Sequence, residues 1–461
     1  MRQVLAVAAL AVVLACSGGG GETRTFAVGG TITGLTGHGL VLATPGHANL
    51  QVAAGQTSFA FPAKVPSGTS YDVTVIGQPT GPAQNCKVTG GAGVVGTTDV
   101  TGISVTCVSS SDIPTSYFDG PRAVVQLINA WGGYCSGTAF VGNPSATAPV
   151  YALTAGHCYA ITFGDEVFSD VPNSDQISAY FNFFPDAPAG APFTVGVTGI
   201  RYSTMWGHDL ALLELDTDQA TLASSGVTLP TLAALPPASG GVFTYGFRAD
   251  EPVMRRTDFT LGPRVWLKES VWSWMSVFRG EGPVTYVRGG SSGSPVFAQD
   301  TSEFFGVINT GSEDIPAPTC ELNYPCEVGP GGVENVPLRA YFQDATRLKG
   351  CFNAEGLFDR ALAECRLPGS TFSLQSVAGQ STQLAVVENT GGVPAGAYRY
   401  RVAPLATFDP ADPSGYGAPT TAPSFTFAPA SLPFVVVAVS EADFRAEGID
   451  PLALHAAVFW Q

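Results

Sequence analysis

The sequence predicts an all-β protein of about three units, and three observations carry that reading. Its apolar segments are short and broken by turn-forming residues, with no long run of helical period. Gly and Pro are abundant, at 55 and 35 of 461 residues, which suits strands joined by tight turns. At about 150 residues per domain, a chain of this length exceeds one ordinary core. The hydrophobic fraction of 45% excludes wholesale disorder, although only 13% of residues are charged. Lys and Arg number 21 against 37 Asp and Glu, and the net charge of −16 argues against a nucleic-acid partner, because it repels phosphate backbones.

The N-terminus opens on Met1 and Arg2, and the apolar run over 4–14 has the length of a secretory h-region, too short to span a bilayer. It ends in Val13-Leu14-Ala15-Cys16, followed by Ser17 and four glycines. These residues resemble the lipobox of bacterial lipoproteins. The resemblance implies a signal peptide over 1–16, lipidation of Cys16 and a Gly-rich tether over 17–25. The protein is then expected to be exported and lipid-anchored to a bacterial membrane, facing outward or the periplasm, or released outside. An ordinary signal peptide with an incidental cysteine is the alternative. The nine cysteines make an odd count, and the anchor leaves eight. In an exported chain neighbouring cysteines pair, which predicts Cys86–Cys107, Cys135–Cys158, Cys320–Cys326 and Cys351–Cys365. None has zinc-site spacing, so no metal and no cofactor is expected.

Residues 26–109 alternate strand-like segments (Gly39-Leu40-Val41-Leu42, Phe59-Ala60-Phe61, Tyr71 to Val75, Ile103 to Thr106) with Gly, Pro and Asn clusters, the pattern of a β-sandwich. The segment resembles the immunoglobulin-like modules that precede catalytic domains in exported bacterial proteins. That resemblance implies a spacer, with carbohydrate or cell-wall binding as the alternative. Residues 110–116 read as a linker, and 117–349 as a larger β-rich region. Cys351 and Cys365 close a connector over 350–366, expected to be a short helical hairpin. Strand segments return in 367–461, at Phe372-Ser373-Leu374, Tyr398 to Val402 and Phe434 to Val439, as a small C-terminal β domain.

Three stretches of the middle region carry candidate chemistry. The first is Cys135-Ser136-Gly137-Thr138-Ala139-Phe140 with Tyr151-Ala152-Leu153-Thr154-Ala155-Gly156-His157-Cys158. The second is Gly207-His208-Asp209-Leu210-Ala211-Leu212-Leu213-Glu214-Leu215. The third is Gly289-Gly290-Ser291-Ser292-Gly293-Ser294-Pro295-Val296-Phe297. In this order they resemble the motifs of trypsin-like serine proteases, over about half the chain. The Gly-Ser-Ser-Gly-Ser-Pro form is most similar to bacterial glutamyl- and lysyl-endopeptidase-type members. The resemblance implies a chymotrypsin-like double six-stranded β-barrel, flanked by the immunoglobulin-like sandwich and the C-terminal β domain.

The residue types fit acyl transfer. A serine hydroxyl is a weak nucleophile and needs a base, so Ser292 is assigned as nucleophile and His157 as general base and acid. Asp209 would accept from the other imidazole nitrogen and fix its tautomer. The glycines around Ser292 permit a tight turn that aims the Gly290 and Ser292 amides at an oxyanion. Where digestive trypsins carry an aspartate before the nucleophile this chain has Ser291, and no Ile-Val-Gly-Gly start appears, so activation by a new N-terminus is not expected. His208 is expected to face solvent.

The substrate pocket departs from known relatives. By the resemblance to trypsin-like members the pocket base, six residues before Ser292, would be Tyr286, which does not support trypsin-type Arg/Lys selection. The following strand reads Asn309-Thr310-Gly311 where glutamyl-selective relatives carry a histidine. Glu334, beside Asn335, is the candidate pocket acid by loose likeness to lysyl-selective relatives. The expected partners are protein or peptide substrates and a lipid anchor, with the chain a monomer. The competing function is a non-catalytic surface-anchored binding protein on a protease-like scaffold.

Overall fold

The computed structural model describes residues 24–459 apart from 80, 83, 110–122, 131, 145–146, 163–165, 183–192, 248–253, 282–286, 300, 302, 313–319, 331, 366, 368–371, 389–395 and 442. The lipobox with Cys16 and the linker over 110–116 therefore lie outside the described residues.

Two closed rings of six antiparallel strands form the centre. Around the first run Val124–Ile128, Tyr134–Phe140, Pro149–Thr154, Leu210–Asp218, Phe193–Thr204 and Ser178–Phe181, with the last paired to the first. Around the second run Gly241–Gly246, Arg255–Glu269, Trp272–Glu281, Ala340–Asp344, Glu303–Gly311 and Pro295–Ala298, closed the same way. This is the all-β double six-stranded barrel that the motifs implied. Closure leaves neither sheet with an unpaired edge in the ring.

The strand after Asp209 shows why its sequence is apolar almost without interruption. Successive side chains point to opposite faces. Ala211, Leu213 and Leu215 fill the first barrel, while Leu210 and Leu212 turn outward into a second core. That second core joins the barrels, because Phe140, Tyr151 and Leu153 of the first pack there with Phe243, Phe297, Phe304 and Val307 of the second. A strand buried on both faces has no polar face to show.

The Cys351–Cys365 bridge forms as expected, but the helical hairpin does not. Residues Thr346–Cys351 make a 3-10 turn, and Phe352 bridges antiparallel to Phe358. Phe352 lies edge-on to Phe140 with ring centres 5.7 Å apart, and the Tyr151 hydroxyl accepts the Phe358 amide at 3.1 Å. Apolar packing into the inter-barrel core thus overrides the local helical pattern, and the segment belongs to that core.

The flanking sheets pack in pairs. In the N-terminal module a four-stranded and a three-stranded sheet share one core that includes Val28, Leu42, Val75 and Val105, stapled by Cys86–Cys107. Toward the C-terminus a pair of three-stranded sheets encloses Phe372, Val386, Phe425 and Val436. The outer face of Phe434–Ser440 continues into the second barrel, where Val435, Val437 and Val439 pack against Trp266 and Met275. Within Trp272–Glu281 alternation sends Met275 to this shared core and Trp274 to the opposite side.

Met275 is nearly fully buried between the second barrel and the C-terminal sheets. Met275→Ala is expected to cost about 2–5 kcal/mol, read as a lower denaturation midpoint at an unchanged denaturant slope.

Candidate active site

The loop at His157 is held by covalent and steric constraints. It follows the strand Pro149–Thr154 and turns through a short 3-10 segment, Gly156–Cys158. The bridge from Cys158 to Cys135 ties it to the neighbouring strand, as the sequence predicts. Gly156 allows the loop to approach the strand that precedes Asp209. A Cβ there would lie 2.0 Å from the Thr204 carbonyl oxygen and 2.9 Å from Asp209 Oδ1.

Asp209 is fully buried. Its Oδ1 accepts the His157 backbone amide at 2.8 Å, and its Oδ2 lies 2.6 Å from His157 Nδ1. Asn309 Nδ2 also donates to Oδ2, at 3.0 Å. These three donors offset the cost of withdrawing a carboxylate from water. Burial disfavours charge on the imidazole, but the Asp209 carboxylate and its hydrogen bond outweigh that, with a smaller contribution from Glu269. The His157 pKa is therefore raised above its ordinary 6.5.

Ser292 enters from the second barrel, on the turn before Pro295–Ala298, and lines the same cleft as His157 and Asp209. Its loop is docked on the first barrel through Ser136. The Ser136 amide donates to the Ser292 carbonyl at 2.8 Å, and its hydroxyl donates to the Gly290 carbonyl at 2.9 Å while accepting the Phe247 amide. Gly293, at φ +84°, must be glycine for a second reason: a Cβ would fall 2.0 Å from Thr154 Oγ1 and 2.1 Å from the Ser136 carbonyl oxygen. Among the described residues the Gly290 and Ser292 amides enter no hydrogen bond, which leaves both donors available.

The remaining candidates divide. Asn309, Thr310 and Gly311 border the cleft as expected, but the Asn309 amide group is engaged with Asp209, which makes it a positioning group. Tyr286 lies outside the described residues. Glu334 is not brought to the cleft. It is exposed on the hairpin formed by Cys326–Gly329 and Gly332–Asn335, and borders a separate groove with Arg264 and Trp266. His208 is buried instead of solvent-facing, with Nε2 3.0 Å from the Tyr202 hydroxyl. Burial, aided by Arg347 and Arg360, lowers its pKa to about 3, so it stays neutral. Its ring packs on Tyr202, with centres 5.7 Å apart, and Tyr202 belongs to the inter-barrel core that also takes Leu210.

Two groups escaped the sequence reading. Ser136 was legible only as one residue of the stretch beside Cys135. Glu269 had no local signal, because a single acid at a hairpin end reads as solvated. In the fold it is buried and borders the cleft with Trp272 and Trp274. Cys135 and Cys158 lie near His157 but are bonded to each other, so they do not form a metal-ligand set.

No protein-family model matches the sequence. No curated protein sequence matches it either. Among solved structures, the chain is similar to the MamO protease domain from Magnetospirillum magneticum in its apo form (16% identity, covering 50% of this chain and 95% of that one, TM-score 0.31). It is also similar to the Rv3671c protease from M. tuberculosis in its active form (13% identity, 49% and 76% covered, TM-score 0.31). A third is the thermostable serine protease AL20 from an extremophilic microorganism (14% identity, 49% and 92% covered, TM-score 0.32).

Two measurements test the site. By NMR, His157 is expected to titrate above 6.5, and Asp209→Asn, which leaves desolvation opposed only by the smaller effect of Glu269, should bring it below that value. Asn309→Ala removes one donor to a buried carboxylate, so stability should fall by about 1.5–3 kcal/mol in denaturant titrations.

Proposed function

We propose that the chain is a serine endopeptidase that hydrolyses peptide bonds through an acyl-enzyme. Ser292 Oγ attacks the scissile carbonyl carbon as His157 Nε2 takes its proton. Asp209 holds Nδ1–H toward its carboxylate and stabilises the imidazolium. The Gly290 and Ser292 amides receive the oxyanion, a contribution worth about 3–4 kcal/mol per donor in comparable sites. His157 then returns the proton to the leaving amine, and water enters by the same route to release the acid.

The observation that supports this reading most is the 2.6 Å contact of His157 Nδ1 with a fully buried Asp209, facing a cleft that Ser292 shares. An imidazole so oriented presents Nε2 toward the cleft with its tautomer set. The protein is proposed to act as a monomer on protein or peptide substrates, exported and held to a bacterial membrane through lipid on Cys16.

Covalent labelling by a fluorophosphonate tests the chemistry. The purified protein is expected to label at Ser292, Ser292→Ala not at all, and Asp209→Asn with hydrolysis reduced about 10⁴-fold. Folded protein that fails to label would favour the non-catalytic scaffold. Cys16→Ser should move the protein from the membrane to the soluble fraction, and unchanged fractionation would refute the anchor.

A further inference from the structure

The hairpin Arg255–Glu269 and Trp272–Glu281 ends beside the cleft, and its tip is fixed at several points. Trp272 Nε1 donates to the Thr162 carbonyl at 2.7 Å, and Trp274 Nε1 to the Met205 carbonyl at 2.9 Å. Both contacts lie on the first barrel's side of the cleft, near His157 and Asp209. The same tip delivers Glu269, only 3% exposed, to the cleft wall.

The Glu269 carboxylate is built in. Its Oε1 accepts the Asn323 amide at 2.7 Å, and the Thr310 side chain also hydrogen-bonds to it. Asn323 sits at φ 67° within the small loop closed by Cys320–Cys326, and the Cys320 carbonyl accepts the Ser270 amide at the hairpin turn. The disulfide thus holds a loop whose backbone holds the acid. Among the described residues no lysine or arginine pairs with Glu269. Its neighbour Lys268 donates instead to the Ser270 carbonyl. Arg288 borders the cleft but forms no ion pair with Glu269.

A buried carboxylate with no lysine or arginine paired to it is costly to keep charged, and burial raises the Glu269 pKa despite its hydrogen bonds to Asn323 and Thr310 and the nearby His157. The cleft it borders also carries the apolar side chains of Met205, Trp272, Trp274, Val287 and Leu322. Asp209, the other acid of the cleft, is engaged with His157 and Asn309, so Glu269 beside these apolar side chains suits a long aliphatic stem ending in a positive charge. The net charge of −16 would draw such substrates from solution.

Resting on the peptidase reading above, we propose that Glu269 is a specificity-determining residue: its carboxylate pairs with a lysine or arginine side chain of the peptide substrate, in a subsite built by the hairpin tip and the Cys320–Cys326 loop. This acid comes from a different element than Tyr286 or Glu334, the positions the family resemblance singled out.

The test is cleavage profiling of a peptide library with blocked termini, run on full-length protein whose Ser292 labels with a fluorophosphonate. Wild type is expected to favour Lys or Arg at a single position. Glu269→Gln should lower kcat/KM for those peptides by about 30-fold or more relative to its effect on neutral peptides, whose cleavage reports any change at His157. Glu269→Asp should restore some of the preference, and Cys320→Ser with Cys326→Ser should weaken it. A labelling-competent wild type without a cationic preference would overturn the proposal, whatever the variants do, while leaving the peptidase reading intact. So would a preference that survives Glu269→Gln, or an acidic preference, which would assign the subsite to Arg288. Absence of Ser292 labelling would overturn both readings.

Discussion

The buried carboxylate of Asp209 is the constraint around which the centre of the molecule is organised. A fully buried anion needs hydrogen-bond donors in fixed places, and here they come from both barrels. The His157 loop supplies a backbone amide and a ring nitrogen, while Asn309 reaches across from the second barrel. Satisfying one carboxylate therefore sets the distance between the His157 loop and the strand that carries Asn309. Gly156 and the Cys135–Cys158 bridge make that approach sterically possible and keep it in place.

Ser136 plays the corresponding role for the nucleophile loop. Through its amide and hydroxyl it binds the carbonyls of Ser292 and Gly290, and among the described residues the amides of those two residues enter no hydrogen bond. The amides that share peptide units with those two carbonyls, of Ser291 and Gly293, are themselves bonded, to the Arg288 and Ile308 carbonyls at 2.8 Å each. The arrangement of donors thus depends on contacts between barrels as much as on the turn itself.

The long hairpin of the second barrel connects the cleft to the C-terminal sheets. Strand alternation places Trp274 on the cleft side and Met275 in the core shared with Val435, Val437 and Val439. His455 adds a second contact, stacking on Trp206 with centres 4.4 Å apart and on Phe372 at 3.7 Å. Trp206 belongs to the same turn as Met205 and Asp209. The C-terminal sheets therefore pack behind two of the walls of the cleft.

By itself the sequence determined the β class, the strand positions from Leu40 to Val439, the four cysteine pairings and the stretches that bear His157, Asp209 and Ser292. These are carried by local patterns: period-two apolarity, turn residues and short motifs whose neighbours lie close in the chain. Only the tertiary structure decided that the Cys351–Cys365 segment enters the inter-barrel core, that His208 is buried, that Asn309 serves Asp209, and that Glu269 instead of Glu334 reaches the cleft. Those outcomes depend on contacts between residues far apart in sequence, such as Asn309 with Asp209 and Asn323 with Glu269. Whether a single acid lies in water or in a cleft is set by what the rest of the chain packs against it, and no local pattern carries that information.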